Sequence, residues 1–169
     1  MSGIGRVVIM GVAGSGKTAV GSALAARLGW RFIDADDLHP PGNIAKMSAG
    51  TPLTDQDRAP WLAAVGRQLA SGPRTIAACS ALKRAYRNAI AEAAPGVFFV
   101  HPVVPRATLA ARMRTREGHF MPASLLDSQL AALEPLEPGE PGIAIDADRD
   151  LDSVVQELAG RLAGRRGDR

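Results

Sequence analysis

The 169-residue sequence contains one cysteine, Cys79. A disulfide framework is excluded, and a thiolate metal cluster is strongly disfavoured. The three histidines, His39, His101 and His119, stand at no metal-ligand spacing. Aromatic residues are only 4% of the chain, and none is interleaved with basic residues in the stacking pattern of nucleic-acid binders. No apolar run approaches the ~20 residues that a membrane span needs. The apolar stretch 6–12 is too short for a secretory signal core, and glycines and Lys17 follow it instead of a cleavage site. The expectation is a cytoplasmic chain with no membrane and no nucleic-acid partner.

What is present is ordinary in amount and unusual in kind. Hydrophobic residues are 46% and charged residues 22%, as in a globular domain, so 1–169 reads as a single domain. Net charge is +3, and arginine supplies 17 of the 20 basic residues. Such a surplus fits either a solvated surface or phosphate binding, because the guanidinium forks onto phosphate oxygens.

Strand-like and helix-like segments alternate. Apolar runs at 6–10, 31–34, 74–79, 97–100 and 143–146 read as strands. Helices are expected at 17–28, closed by Gly29, and at 44–49. A further helix opens at the capping box Thr54-x-x-Asp57 and carries a core stripe of Trp61, Leu62, Val65 and Leu69. Others are expected at 82–94, 106–116, 123–133 and 151–162. This alternation argues for an α/β fold with a parallel sheet and helices on both faces. The tail tripeptide Arg166-Gly167-Asp168 reads as coincidence.

The segment Gly11-Val12-Ala13-Gly14-Ser15-Gly16-Lys17-Thr18 fits the phosphate-binding loop G-x-x-x-x-G-K-[ST], between a strand and a helix as that motif requires. Glycines permit positive φ and turn backbone N–H groups inward around an anion, and the following helix adds its positive end. Lys17 would reach the β- and γ-phosphates, and the Thr18 hydroxyl would ligate Mg²⁺. The same residues also contain the dinucleotide fingerprint Gly14-x-Gly16-x-x-Ala19, with Asp34 twenty positions after Gly14. That reading ranks lower because it has no use for Lys17 and Thr18. No Asn-Lys-x-Asp guanine motif occurs.

The acceptor half of the site is sought at the ends of neighbouring strands. In Asp34-Ala35-Asp36-Asp37 an extended backbone would put Asp34 and Asp36 on one side. One would hold Mg²⁺ while the other takes a proton from an attacking hydroxyl. A turn with a helix cap is the competing reading. Lys83 and Arg87 are four apart near a helix start, where cations are disfavoured unless an anion is bound. Arg112, Arg114 and Arg116 precede Gly118-His119-Phe120 and read as a cationic lid or as a solvated helix face.

With these residues in place, the chain resembles the bacterial gluconokinases, small P-loop sugar-acid kinases related in fold to shikimate and nucleoside monophosphate kinases. The resemblance rests on the loop at 11–18, Asp-Ala-Asp-Asp-Leu-His-Pro at 34–40 and Asn43-Ile44-Ala45-Lys46-Met47. It continues through 52–58, Pro60-Trp61-Leu62, Cys79-Ser80-Ala81-Leu82-Lys83 with Tyr86-Arg87, and Arg116-Glu117-Gly118-His119-Phe120. It covers about 8–137, and Ser80-Ala81-Leu82 replaces the glycine run usual in shikimate kinases. The resemblance implies a three-layer P-loop kinase fold with a five-stranded parallel sheet and a mobile lid at about 112–130. It also implies a homodimer, and ATP- and Mg²⁺-dependent phosphorylation of D-gluconate at its 6-hydroxyl. Two departures stand out: Pro102 and Pro105 at the entry to the lid helix, and the Pro- and Gly-rich loop 134–142, which bears on base contact.

On that reading Asp36 is the base, and Lys17 with Arg112 or Arg116 stabilises the moving phosphoryl group. Gly11, Val12, Ala13, Gly14, Ser15, Gly16, Lys17, Thr18 and Arg112 hold the nucleotide. Arg58, Lys83 and Arg87 take the gluconate carboxylate, His39 and Lys46 lie near its hydroxyls, and Thr18 and Asp34 are the metal contacts.

Overall fold

The computed structural model describes residues 3–115 and 123–165. Five parallel strands form one sheet in the order β2-β3-β1-β4-β5. They are β1 (Arg6–Ile9), β2 (Arg31–Asp34), β3 (Thr75–Ala78), β4 (Phe98–Val103) and β5 (Gly142–Asp146). The helices are α1 (Lys17–Leu28), α2 (Pro41–Ser48), α3 (Asp55–Ala70), α4 (Arg84–Ala93), α5 (Arg106–Arg114), α6 (Ala123–Ala132) and α7 (Leu151–Gly164). A 3₁₀ turn spans Ala35–Leu38.

The period-two alternation of β1 builds two cores. Val7 and Ile9 face one side with Val20 and Leu24 of α1 and Leu158 of α7. Val8 and the adjoining Met10 face the other with Trp61, Leu62, Val65 and Leu69 of α3 and Ile90 of α4. All of these are 4% exposed or less. Each such side chain contributes roughly 1.5–3 kcal/mol by leaving water. The central strand is therefore buried on both faces, as a parallel sheet requires. The carboxyl end of this strand carries the phosphate-binding loop.

Local signals explain most boundaries. Gly29 closes α1 in the left-handed region (φ 67°), returning its N–H to Ala25 and Ala26. The capping box at Thr54 and Asp57 is formed in both directions. The expected helix at 44–49 starts earlier, with Pro41 at its first position, where a missing N–H costs nothing. The expected helix at 82–94 starts later, because Ala81 takes positive φ and Lys83 is extended. The lid helix expected to reach Arg116 is described only to Arg114, and Arg116 lies outside the described residues.

β4 runs to Val103, straight through Pro102, instead of ending at Val100. The Phe99 N–H donates to Pro141 of the β5 side, and the Val103 carbonyl accepts from Ala147. The Val100 carbonyl accepts from Met10, on the β1 side. Even-numbered residues thus face β1, whose pairing with β4 ends at Ile9. Pro102 falls past that point, where no strand asks for its absent N–H.

Helices α3 and α4 approach closely at Gly66. A Cβ there would come within 2.4 Å of the Ala93 Cβ and 3.1 Å of the Ile90 carbonyl. Gly66→Val should therefore lower stability by about 1–3 kcal/mol through overpacking, read from the midpoint of urea unfolding.

Candidate active site

Three glycines shape the loop after β1. Gly11, Gly14 and Gly16 have φ of 130°, 82° and 88°, which side chains rarely adopt. A Cβ on Gly11 would also approach the Ser15 hydroxyl to 3.0 Å. The loop is braced from inside: the Val12 carbonyl accepts from the Ser15 N–H (3.2 Å), the Ser15 hydroxyl (2.7 Å) and the Lys17 ammonium (3.1 Å). The Ala13 N–H donates to Gln129 of α6 at 2.7 Å. Lys17 and Thr18 open α1, whose first turn holds no acidic residue, so its positive end stays available to an anion.

A cleft of about 490 Å³ opens beside this loop, between α1, the end of α5 and the β5–α7 connection. Arg112 spans it, donating to the Gly14 carbonyl (3.2 Å) and the Ala147 carbonyl (3.3 Å). Arg149 lines the same cleft, held by the Asp146 carbonyl at 2.9 Å and by an ion pair with Glu157. Leu151 and Val154 add apolar surface.

The acidic segment lies two strands away. Asp34 is in register with Ala78 of β3, which is in register with Ile9 of β1. At ~4.8 Å per strand this sets Asp34 about 10 Å from the start of the loop. The expected extended backbone is not found. The Asp34 carboxylate accepts the Asp36 N–H at 3.0 Å and caps the 3₁₀ turn, with Asp36 exposed on it. An acid that caps its own turn gains a hydrogen bond that an extended strand end cannot offer. Lys17, Asp34 and Asp36 all act electrostatically on Cys79, so both halves of the site converge on the end of β3. Burial pushes the Cys79 thiol up to about 12, which leaves it un-ionised and inert.

His39 stacks on Trp61 with ring centroids 4.2 Å apart, and the Trp61 Nε1–H donates to the Ala35 carbonyl at 2.7 Å. Asn43 Nδ2 donates to His39 Nδ1 at 3.2 Å, which places the proton of the neutral ring on Nε2. Burial lowers the His39 pKa, with Asp36 opposing and Arg58 adding to the shift.

Arg58 and Lys83 meet over Tyr86, with their charged groups 5.4 and 5.6 Å from the ring centre. Arg58 donates to the Leu53 carbonyl (2.8 Å) and to the Tyr86 hydroxyl (3.2 Å), and that hydroxyl donates to Asp55 at 2.6 Å. Asp55 stands 3.7 Å from Arg58 and 4.0 Å from Lys83. This is a partly exposed pair of cations with an aromatic hydroxyl beside it.

Two expected substrate contacts are engaged elsewhere. Lys46 forms an ion pair with Asp57 at 2.8 Å, so its ammonium turns to the cap of α3 instead of toward an acceptor hydroxyl. The Arg87 side chain is 1% exposed and paired with Glu140 at 2.7 Å, so it cannot serve as an open carboxylate clamp. An i, i+4 spacing placed Arg87 on the same face as Lys83, but α4 begins only at Arg84 and that face is buried against the loop 134–142.

A family model described as an AAA domain matches residues 7–136. A gluconokinase from Gluconobacter oxydans is 49% identical, covering 90% of this chain and 88% of that protein. This chain belongs to the gluconokinase family. A probable gluconokinase from Xenopus tropicalis is 47% identical, with 92% of each chain covered. The crystal structure of a gluconokinase from Sinorhizobium meliloti 1021 superposes with a TM-score of 0.88 at 48% identity, covering 97% of this chain and 94% of that one. Membership accounts for the P-loop kinase fold and the five-stranded parallel sheet.

Residues given no role in the sequence analysis but found at the candidate site are Arg149 and Leu151 in the cleft and Asp55 and Tyr86 beside the cation pair. The only signal for the first two was their place after the last strand, where ligands of α/β sheets gather. The loop 134–142, linked in the sequence to base contact, instead braces α4: Glu134 accepts the Arg84 N–H at 2.8 Å, and Arg84 pairs with Glu137. No helix among the described residues is long and apolar enough to cross a membrane.

Hydrogen bonds from Lys46 and Thr54 hold the Asp57 carboxyl down to about 2, against an ordinary 3.8. A depressed folded-state pKa contributes stability that is complete above 3.8 and is lost as the pH falls toward 2. In urea unfolding across an acid series, the stability gap between the wild type and Asp57→Asn should therefore close between those two pH values.

Proposed function

We propose that the chain transfers the γ-phosphoryl group of ATP to the 6-hydroxyl of D-gluconate, giving 6-phosphogluconate and ADP. The observation that carries this reading is a juxtaposition. Beside a glycine cradle on the central strand stand an exposed acid, Asp36, after the strand two places outward, and two partly exposed cations, Arg58 of α3 and Lys83 after the strand in between. A linear polyol ending in a carboxylate presents a hydroxyl to the first and an anion to the second.

The cradle fits a triphosphate, since its positive-φ glycines put no side chain in an anion's way and α1 directs its positive end there. In this reading Lys17 neutralises charge on the β- and γ-phosphates. Thr18 and Asp34 would hold Mg²⁺, which supplies further neutralisation and needs only one or two protein oxygens beside the phosphates. Arg112, already fastened to the loop through Gly14, holds the nucleotide end of the cleft, where Leu151 and Val154 offer an apolar wall to a base. Arg116 is assigned to the same phosphates within a closing lid at 112–130.

Asp36 accepts the proton of the 6-hydroxyl as the new oxygen–phosphorus bond forms and the bond to the ADP oxygen breaks. Arg58 and Lys83 take the gluconate carboxylate, steadied by the Tyr86 hydroxyl, which accepts from Arg58 and donates to Asp55. His39, neutral and fixed by Trp61 and Asn43, offers an Nε2–H to a substrate hydroxyl. We extend to the chain the single domain and the cytoplasmic setting that its composition leads us to expect, and the homodimer that the resemblance implies.

ADP release should be stimulated by gluconate and not by shikimate, other sugar acids or nucleoside monophosphates. An acceptor panel with no stimulation by gluconate overturns the proposal. Asp36→Asn should lower kcat by about 10²–10⁴ with ATP still bound, measured by nucleotide titration beside turnover. Arg58→Ala should raise the KM for gluconate more than that for ATP; an unchanged gluconate KM removes Arg58 from the clamp.

A further inference from the structure

Arg87 was expected to touch substrate, yet it is the largest fully buried side chain among the described residues. Its five donors all find acceptors. Nε and Nη2 fork onto Glu140 at 2.7 and 3.0 Å, Nη1 donates to the carbonyls of Ala81 (3.0 Å) and Leu82 (3.2 Å), and Nη2 also reaches the Pro135 carbonyl at 3.5 Å. Glu140 is fixed in turn by the Glu137 N–H at 2.8 Å. The Leu82 carbonyl receives a further bond from the Glu134 N–H at 2.8 Å.

The carbonyls so gripped belong to an unusual turn. Ala81 is wholly buried with φ of 42°, a conformation that costs a residue with a Cβ. The turn has the donor loop on one side, where the Ser80 carbonyl accepts the Gly11 N–H at 3.0 Å, and Lys83 on the other. Its shape therefore decides how the carboxylate clamp stands relative to the phosphate cradle.

We infer that Arg87 and Glu140 are positioning residues: their buried ion pair, with the loop 134–140 as its backing, holds the Ser80–Lys83 turn in its strained shape and so sets Lys83 against the P-loop. The inference rests on the reading of Lys83 as part of the carboxylate clamp only for its kinetic consequence. The mechanical part stands on the hydrogen bonds alone. A fork of five donors is needed, because a lysine at 87 cannot hold two carbonyls and both carboxylate oxygens at once.

Three variants test it: Arg87→Lys, Glu140→Gln, and the double replacement Arg87→Met with Glu140→Leu. The double variant removes both buried charges together, which is often neutral for stability, but cannot grip Ala81 and Leu82. Hydrogen–deuterium exchange should quicken about tenfold or more in peptides covering 79–84 and at Gly11, with α7 unchanged. The gluconate KM should rise by about tenfold or more, with the ATP KM within about twofold and the double variant keeping the wild-type melting temperature. Unchanged exchange at 79–84 in a folded double variant overturns the inference. Quickened exchange with an unaltered gluconate KM upholds the strut and instead removes Lys83 from the clamp, which Lys83→Ala then shows directly.

Discussion

The structure depends on how one strand ends. β1 is buried on both faces, and at its carboxyl terminus the chain must leave the sheet, reverse and start a helix within a few residues. Three glycines at positive φ make that reversal without a side chain in the way, at the place where a helix terminus concentrates positive potential. A helix N-terminus of this kind favours an anion beside it. Everything else in the site is arranged around that place: the acid two strands over, the arginine that bridges to the β5–α7 connection, and the turn after β3 that donates its Ser80 carbonyl to Gly11.

Much of this was legible in the sequence because it is local. The P-loop spacing, the start and stop of α1, the capping box at Thr54 and the core stripe of α3 each depend on residues within a turn of one another. The alternation of strands and helices gave the parallel sheet for the same reason. The positions of Lys17, Thr18 and Asp34 at strand ends or helix starts follow from those elements.

What could not be read depends on contacts across the chain. Nothing near Arg87 in sequence announces Glu140, 53 positions away, so a buried strut looked like an open cation. Lys46 was similarly claimed by Asp57 from a different helix. The acids at 34–37 alternate like a strand, but a side chain that can cap its own turn overrides that pattern. Ala81 shows the same limit in backbone form. A left-handed alanine costs roughly 1–2 kcal/mol and is not forecast from composition. It persists because Arg87 fastens its carbonyl.

The strand order has a consequence for how such a protein changes over time. The cleft proposed for the nucleotide is built from the connections after β1 and β5 together with α5, whereas the groups proposed to face the alcohol come from the connections after β2 and β3. The two inventories share almost no residues. Drift in the second set can retune which polyol is accepted while the energy-donating half keeps its shape, so the scaffold can diversify its diet without relearning how to hold its fuel.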